Sequence, residues 1–151
     1  MDHFDIRILD LLQNDCRLTA DAIASSIALS PAAVHKRLRK LRKDGHIAAE
    51  VAVLDPAKYG HPMRVIVQIA LERESLHELD AFKAEMRNSP NVQQCFYITG
   101  DADFILILLV RDIAEYEQFT HAHFFENKII RRFQSNIVMD VVKSGLTVPL
   151  D

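Results

Sequence analysis

The spacing of apolar residues changes once along this chain, and the change limits what each half can become. From Phe4 to Leu41 they recur three and four apart, the repeat of an amphipathic helix; beyond Pro62 come runs and alternations that suit strands. Phe4, Ile8, Leu11 and Leu12 share one face of a first helix, which Asp2 can cap. Thr19 can cap a short second helix in which Ile23, Ala24 and Ile27 share a face, and Ala28-Leu29-Ser30 ends it. Ser30-Pro31 opens a third: a capping hydroxyl, then a proline at the first helical position, where its missing N–H costs nothing. Val34, Leu38 and Leu41 make the buried stripe of that helix, and Asp44-Gly45 ends it. Small and β-branched residues from Ile47 to Leu54 then predict a strand or short wing, stopped by Asp55-Pro56.

Residues 55–62 hold two prolines and a glycine, which predicts a linker between a first domain at about 1–60 and a second at about 61–151. Charge divides at the same place. Residues 30–47 carry six Lys and Arg against Asp44 alone, whereas residues 61–151 carry nine basic and thirteen acidic side chains. The formal charge of −3 therefore does not exclude a nucleic-acid partner, because the cations are gathered on one helix.

In the second half, Arg64 to Leu71 reads as a strand, and Ser75 with Glu78 as a capping box opening a helix that uses Leu76, Leu79, Phe82, Lys83 and Met86. Asn88-Ser-Pro-Asn91 breaks that helix. Val92 to Thr99 predicts a strand, Gly100-Asp-Ala-Asp103 a turn, and the apolar run Phe104 to Val110 a central strand. Asp112 with Glu115 is a second capping box, for a helix through Tyr116, Phe119 and Phe124. A last strand is expected at about Arg132 to Val142, with Phe133, Ser135, Ile137, Met139 and Val141 on one face. The order is βαββαβ, the ferredoxin-like arrangement, so the chain as a whole is α+β. The apolar face and free edge of such a sheet predict a homo-oligomer joined through paired sheets.

Other function classes find little support. The longest apolar run, Phe104 to Val110, has seven residues, too few to span a membrane. The amino terminus lacks the basic and apolar regions of a secretory signal, which predicts a cytoplasmic protein, with Cys16 and Cys95 as reduced, buried thiols. His121 and His123, two apart on a helix, lie on nearly opposite faces, so no metal site is expected. No serine or cysteine stands in a nucleophile motif. The expectation is a protein without catalytic residues or cofactor.

A helix-turn-helix lays its second helix in the major groove of double-stranded DNA, which needs small residues where backbones approach and cations beside the phosphates. Ser30 to Lys43 supplies both: Ala32 and Ala33 at the start, and His35, Lys36, Arg37 and Lys40 to reach bases or phosphates. A cationic run can also be only a solvated face. Against that stand the capped short helix, the tight turn, the Ser-Pro start and the glycine-led wing, all at the required spacing.

Three stretches carry a family resemblance: Asp2-x-x-Asp5-x-x-Ile8-Leu9-x-x-Leu12-Gln13-x-Asp15-x-Arg17, Leu29-Ser30-x-x-x-Val34-x-x-Arg37-x-x-x-Leu41, and Gly45-His46-Ile47. Further on come Asp55-Pro56 with Gly60, Thr99-Gly100-Asp-Ala-Asp103-Phe104, and Ile137-Val-Met-Asp-Val-Val-Lys143. Over nearly its whole length the chain resembles the Lrp/AsnC, or feast/famine, family of transcription regulators. The resemblance implies a winged helix-turn-helix joined to a ferredoxin-like regulatory (RAM) domain, with dimers often assembled into octamers. It implies that Ser30 and Arg37 touch the DNA backbone or buttress the recognition helix. It also implies an amino-acid effector bound between dimers by the 99–103 loop and a polar residue of the last strand.

Ser135 matches that polar position. Gly100 can expose backbone amides to a carboxylate, Asp101 and Asp103 offer carboxylates to an ammonium, and Thr99 could line the same cavity. From the residues alone the turn could equally be Asp and Gly chosen for backbone shape. Two departures stand out. Ala28 occupies a turn position where the family commonly has glycine, and residues 123–132 replace a leucine-proline-glycine turn, which predicts a longer helix there. Two other readings remain open at this point: a sirohaem decarboxylase-like enzyme, which shares the two-domain arrangement, and a DNA-bending architectural protein with no small-molecule input.

Overall fold

Asp2 begins the first helix with a reciprocal cap: its carboxylate accepts the Asp5 N–H at 3.0 Å, and the Asp5 carboxylate accepts the Asp2 N–H at 3.0 Å. The computed structural model describes residues 1–72 and 76–150. They form two units, residues 1–53 with 142–151 and residues 54–141. In the first unit α1 (His3–Asn14), α2 (Ala20–Ile27) and α3 (Pro31–Lys43) follow the expected order. Thr19 caps α2 by accepting the Ala22 N–H, and Ser30 caps α3 by accepting the Ala33 N–H. Ile8, Ile23 and Val34, one from each helix, are wholly buried at the centre of this unit. Each contributes about 1.5–3 kcal/mol by leaving water. Ala28, between α2 and α3, sits at φ 57° and ψ 43°, the left-handed conformation that the missing glycine would have taken without strain. Gly45, at φ 76°, ends α3, and the His46 N–H closes the helix by donating to the Leu41 carbonyl at 2.9 Å.

The expected wing is corrected. Residues 47–54 form no strand, because no segment of the described chain offers them a ladder partner. Their Val51, Val53 and Leu54 side chains stand exposed. Glu50 is nonetheless fixed, accepting two hydrogen bonds from the Arg42 guanidinium at 3.1 and 2.8 Å.

The second unit contains β1 (Met63–Leu71), α4 (Leu76–Asn88), β2 (Val92–Tyr97), β3 (Phe104–Val110), α5 (Ile113–Thr120) and β4 (Ile130–Ile137). The sheet order is β2-β3-β1-β4 with every neighbour antiparallel, which is the ferredoxin-like topology. Val65, Val67 and Ile69 of β1 and Phe104, Leu106 and Leu108 of β3 face Phe82 and Met86 of α4 and Phe119 of α5. The alternate positions Ile66, Ile105, Ile107 and Leu109 point to the other face and are only half-buried.

Several expectations are refined here. Ser75 lies outside the described residues. Asp112 caps α5 through the Glu115 N–H, while the Glu115 carboxylate takes the Arg111 N–H instead of closing the box on Asp112. The longer helix predicted before the last strand is present: α5 continues into a π-helical turn, His121–Phe125, which buries Phe124 against Phe119 and Phe133. Strand β2 stops at Tyr97, and β4 stops at Ile137 and not at Val142: its last register partner is Val65, after which the Val138 N–H reaches the Arg64 carbonyl at 2.9 Å and the chain leaves the sheet. Met139 and Val141 therefore lie beyond the sheet, exposed. Both cysteines are free and exposed, not buried: Cys16 follows α1 in the turn, and Cys95 lies on the edge strand β2.

Candidate nucleic-acid interface and effector loop

On α3 the buried stripe, Val34, Leu38 and Leu41, leaves the opposite side to Ala32, Lys36, Arg39, Lys40 and Lys43, all exposed. Among the described residues these four cations make no ion pair, so their charge is open to a partner. Ala32 is exposed and Ala33 half-buried at the amino-terminal end, while His35 is exposed on the flank. The caps at Ser30 and Gly45 hold this cationic face at a fixed length of 13 residues. Arg39 is absent from the contact set expected above, although its spacing, four after His35 and three after Lys36, already put it on that face.

Arg37 is different. Its Nη1 donates to both carboxylate oxygens of Asp2 at 2.8 Å and to Asp5 Oδ1 at 2.7 Å, and its guanidinium carbon lies 5.5 Å from the centre of the Phe4 ring. The side chain is 28% exposed. The Asp5 N–H and then the Arg37 guanidinium hold the Asp2 carboxyl below its usual range. Partial burial pushes the Asp5 carboxyl up, but the Asp2 N–H and Arg37 outweigh it, and the net direction is also down. Of the two roles the resemblance allows Arg37, the geometry supplies the buttress, joining α3 to the cap of α1.

In the second unit, Thr99, Gly100 and Asp101 are exposed in the loop between β2 and β3. Gly100 has φ 120°, a conformation that side chains rarely adopt, so glycine is required by the turn itself. Asp103 is half-buried and anchored three times. Its N–H donates to the Ile69 carbonyl at 2.8 Å, its carbonyl accepts the Ile98 N–H at 2.8 Å, and its Oδ2 accepts the Leu71 N–H at 2.7 Å. Leu71 needs that acceptor because its N–H faces β3, whose ladder with β1 ends at Ile69 and Phe104. Asp101 is thus the freer carboxylate for an ammonium, and Asp103 the post that fixes the loop. Phe104, next to it, is core.

Ser135 lies elsewhere on the sheet. It is on β4, opposite Val67, and its hydroxyl hydrogen-bonds the Tyr116 hydroxyl of α5, whose burial pushes that phenol up. Strand β1 stands between β4 and the β3 strand that carries the loop. One chain therefore does not bring Ser135 to Gly100 and Asp101. His121 and His123 are likewise separate: His121 stacks on Phe125, and His123 bonds Glu85 at 2.5 Å. Among the described residues no group of His, Cys, Asp and Glu could hold a metal ion, and no helix is long and apolar enough to cross a membrane.

Comparison with known proteins agrees with both halves. Residues 1–42 match the model of the AsnC-type helix-turn-helix domain, and residues 64–148 that of the Lrp/AsnC ligand binding domain. An HTH-type transcriptional regulator of Sinorhizobium fredii, y4tD, is 42% identical over 151 residues, covering 100% of this chain and 89% of that protein. Among solved structures, an AsnC family transcriptional regulator from Agrobacterium tumefaciens is 32% identical with a TM-score of 0.93, over 99% of this chain and 97% of that one. A Neisseria meningitidis transcriptional regulator in complex with L-Met is 26% identical with a TM-score of 0.95, over 100% and 97% of the two chains.

Proposed function

Because the chain belongs to the Lrp/AsnC family of transcription regulators, we propose that it binds DNA operators as an oligomer and that an amino-acid effector changes which operators it holds. It is a regulator with a helix-turn-helix and a ligand-binding domain, and the family assignment removes the sirohaem decarboxylase-like alternative. The observation that carries the DNA half is the capped α3 with Lys36, Arg39, Lys40 and Lys43 on its outer face and, among the described residues, in no ion pair. In this reading Ala32 and Ala33 admit the groove, His35, Lys36 and Lys40 join Arg39 at phosphates or base edges, and Ser30 and Arg37 hold the helix in place. We take residues 1–60 as the DNA-binding domain and 61–151 as the regulatory one.

For the effector half, the relative in complex with L-Met supports an amino acid. Gly100 amides would receive the carboxylate and Asp101 the ammonium, with Asp103 and Thr99 shaping the loop. Since β1 separates Ser135 from that loop within a chain, a site using both takes the loop from one chain and Ser135 from another. Dimers paired through the open sheet face and gathered into a larger ring, such as an octamer, would provide such junctions. An effector bound there alters the spacing of recognition helices in the assembly. A cytoplasmic location goes with this reading, as DNA and free amino acids are both there.

Selecting bound genomic fragments with the full chain, with and without an amino-acid mixture, tests both halves. A shared operator should be enriched, and one amino acid should change its occupancy severalfold in the wild type but not in Asp101→Ala. No enrichment over random DNA contradicts the DNA half. Identical occupancy with every amino acid contradicts the effector half and leaves the architectural reading.

A further inference from the structure

A cleft of about 370 Å³ lies between α4 and the edge strand β2, on the helix side of the sheet. Its floor is apolar, made by Met86, Val92 and Phe104, and its wall carries two cations one helical turn apart, Lys83 and Arg87. Gln93, Gln94, Cys95 and Tyr97 complete the lining. The sequence reading placed Lys83 only on the face of a helix and left Arg87 and the two glutamines without a role.

The local backbone explains why so many polar groups meet here. The β2–β3 register shifts between Val92 and Gln94, so Gln93 is an extra residue in the edge strand. The bulge lets Val92 and Cys95, three apart, stand opposite Leu108 and Leu106 on the helix side, and it adds Gln93 to the rim. Lys83 Nζ lies 4.9 Å from the centre of the Tyr97 ring and 3.7 Å from Asp80, which is outside the lining. Arg87 makes no ion pair among the described residues, and its charge acts on the Cys95 thiol, which burial pushes up and Arg87 draws down, with the net direction up.

The lining therefore offers two cations, two amides, a phenol and an apolar floor, with no carboxylate among its residues. Such a set suits a carboxylate with a short apolar tail, held by Arg87 and Lys83 at one end and by Val92 and the exposed Tyr97 ring at the other. It does not suit an ammonium, which would meet like charge and no acid. The 99–103 loop is the reverse case, with Asp101 and Asp103 beside exposed amides. We propose that the α4–β2 cleft is a second ligand site, taking a small carboxylate without an ammonium group, such as a branched 2-oxo acid. The cleft ends at Tyr97 and Phe104, whose rings meet at 5.0 Å, tilted by 44°, and bracket the effector loop in sequence, so an occupant bears directly on that loop.

Cys95 reports occupancy. In the full chain carrying Cys16→Ser it is the single thiol, and its alkylation by neutral iodoacetamide can be timed. The probes are 3-methyl-2-oxobutanoate, L-valine with the same carbon skeleton, and the neutral 3-methylbutanamide. The oxo acid should slow alkylation at least threefold and saturably, while valine and the amide leave it unchanged. Lys83→Gln with Arg87→Gln, checked for retained helix by circular dichroism, should abolish the protection, and Asp101→Ala should keep it. The proposal is overturned by absence of protection, by equal protection from valine or the amide, or by protection that depends on Asp101 and survives loss of the two cations. None of these outcomes bears on whether an amino acid binds the loop.

Discussion

Arg37 stands three residues after Val34 and four before Leu41, at the border of the buried stripe, and that position decides its role. A cation there is drawn toward α1, where Asp2 and Asp5 await it. Arg37→Gln should lower the melting temperature by several degrees at pH 6, read by circular dichroism. Both carboxyls have lowered folded-state pKa values. Their contribution is therefore complete above the unfolded value of about 4 and is lost as pH falls through the folded values. The stability gap between wild type and variant should narrow as pH falls below about 4; a gap that does not narrow below that pH would contradict the pairing. Ala28→Gly should stabilise the protein by about 1 kcal/mol, by relieving the left-handed alanine in denaturant titrations. The caps at Asp2, Thr19 and Ser30 were legible in the sequence because each depends on neighbours within four residues, whereas the strained Ala28 was marked only by the family resemblance, which has glycine at that turn. The Arg37 pairs were not, since their partners lie 32 and 35 residues away and a cation on a basic helix reads first as solvent-facing.

At the scale of elements, the sequence indicated every helix of α1 to α5 and every strand of β1 to β4, because each has a period and a start or stop signal. It misjudged ends that depend on partners. A β-branched run such as 47–54 has strand character, yet without a neighbour in the chain its backbone has no ladder to join. The last strand likewise leaves the sheet at Ile137, opposite Val65 and two residues short of the end of β1 at Met63, whatever alternation its sequence continues. The bulges at Ala70/Leu71 and Val92/Gln94 were also invisible, although the second builds the polar wall of the cleft. The open sheet face carries Ile66, Ile105, Ile107 and Leu109, the surface assigned to paired sheets. Ile107→Glu, central on that face, should reduce the mass seen by sedimentation to that of smaller assemblies while the chain stays folded. An unchanged mass would contradict the paired-sheet assignment.

For the whole molecule, the proposal joins a DNA-holding helix to loops that read small molecules, and the energy required is modest. A tenfold change in operator affinity corresponds to about 1.4 kcal/mol, well within what one charge-assisted contact to an effector can supply. Everything in that scheme depends on the outer face of α3 meeting phosphates. The most direct measurement is the salt dependence of affinity for a duplex enriched in the fragment selection, comparing wild type with Lys36→Ala/Lys40→Ala. Loss of two phosphate contacts per bound helix should weaken binding and flatten the slope of log K against log salt by about two for each helix engaged. Equal affinity and equal slope in the two proteins would contradict the assignment of α3 to DNA.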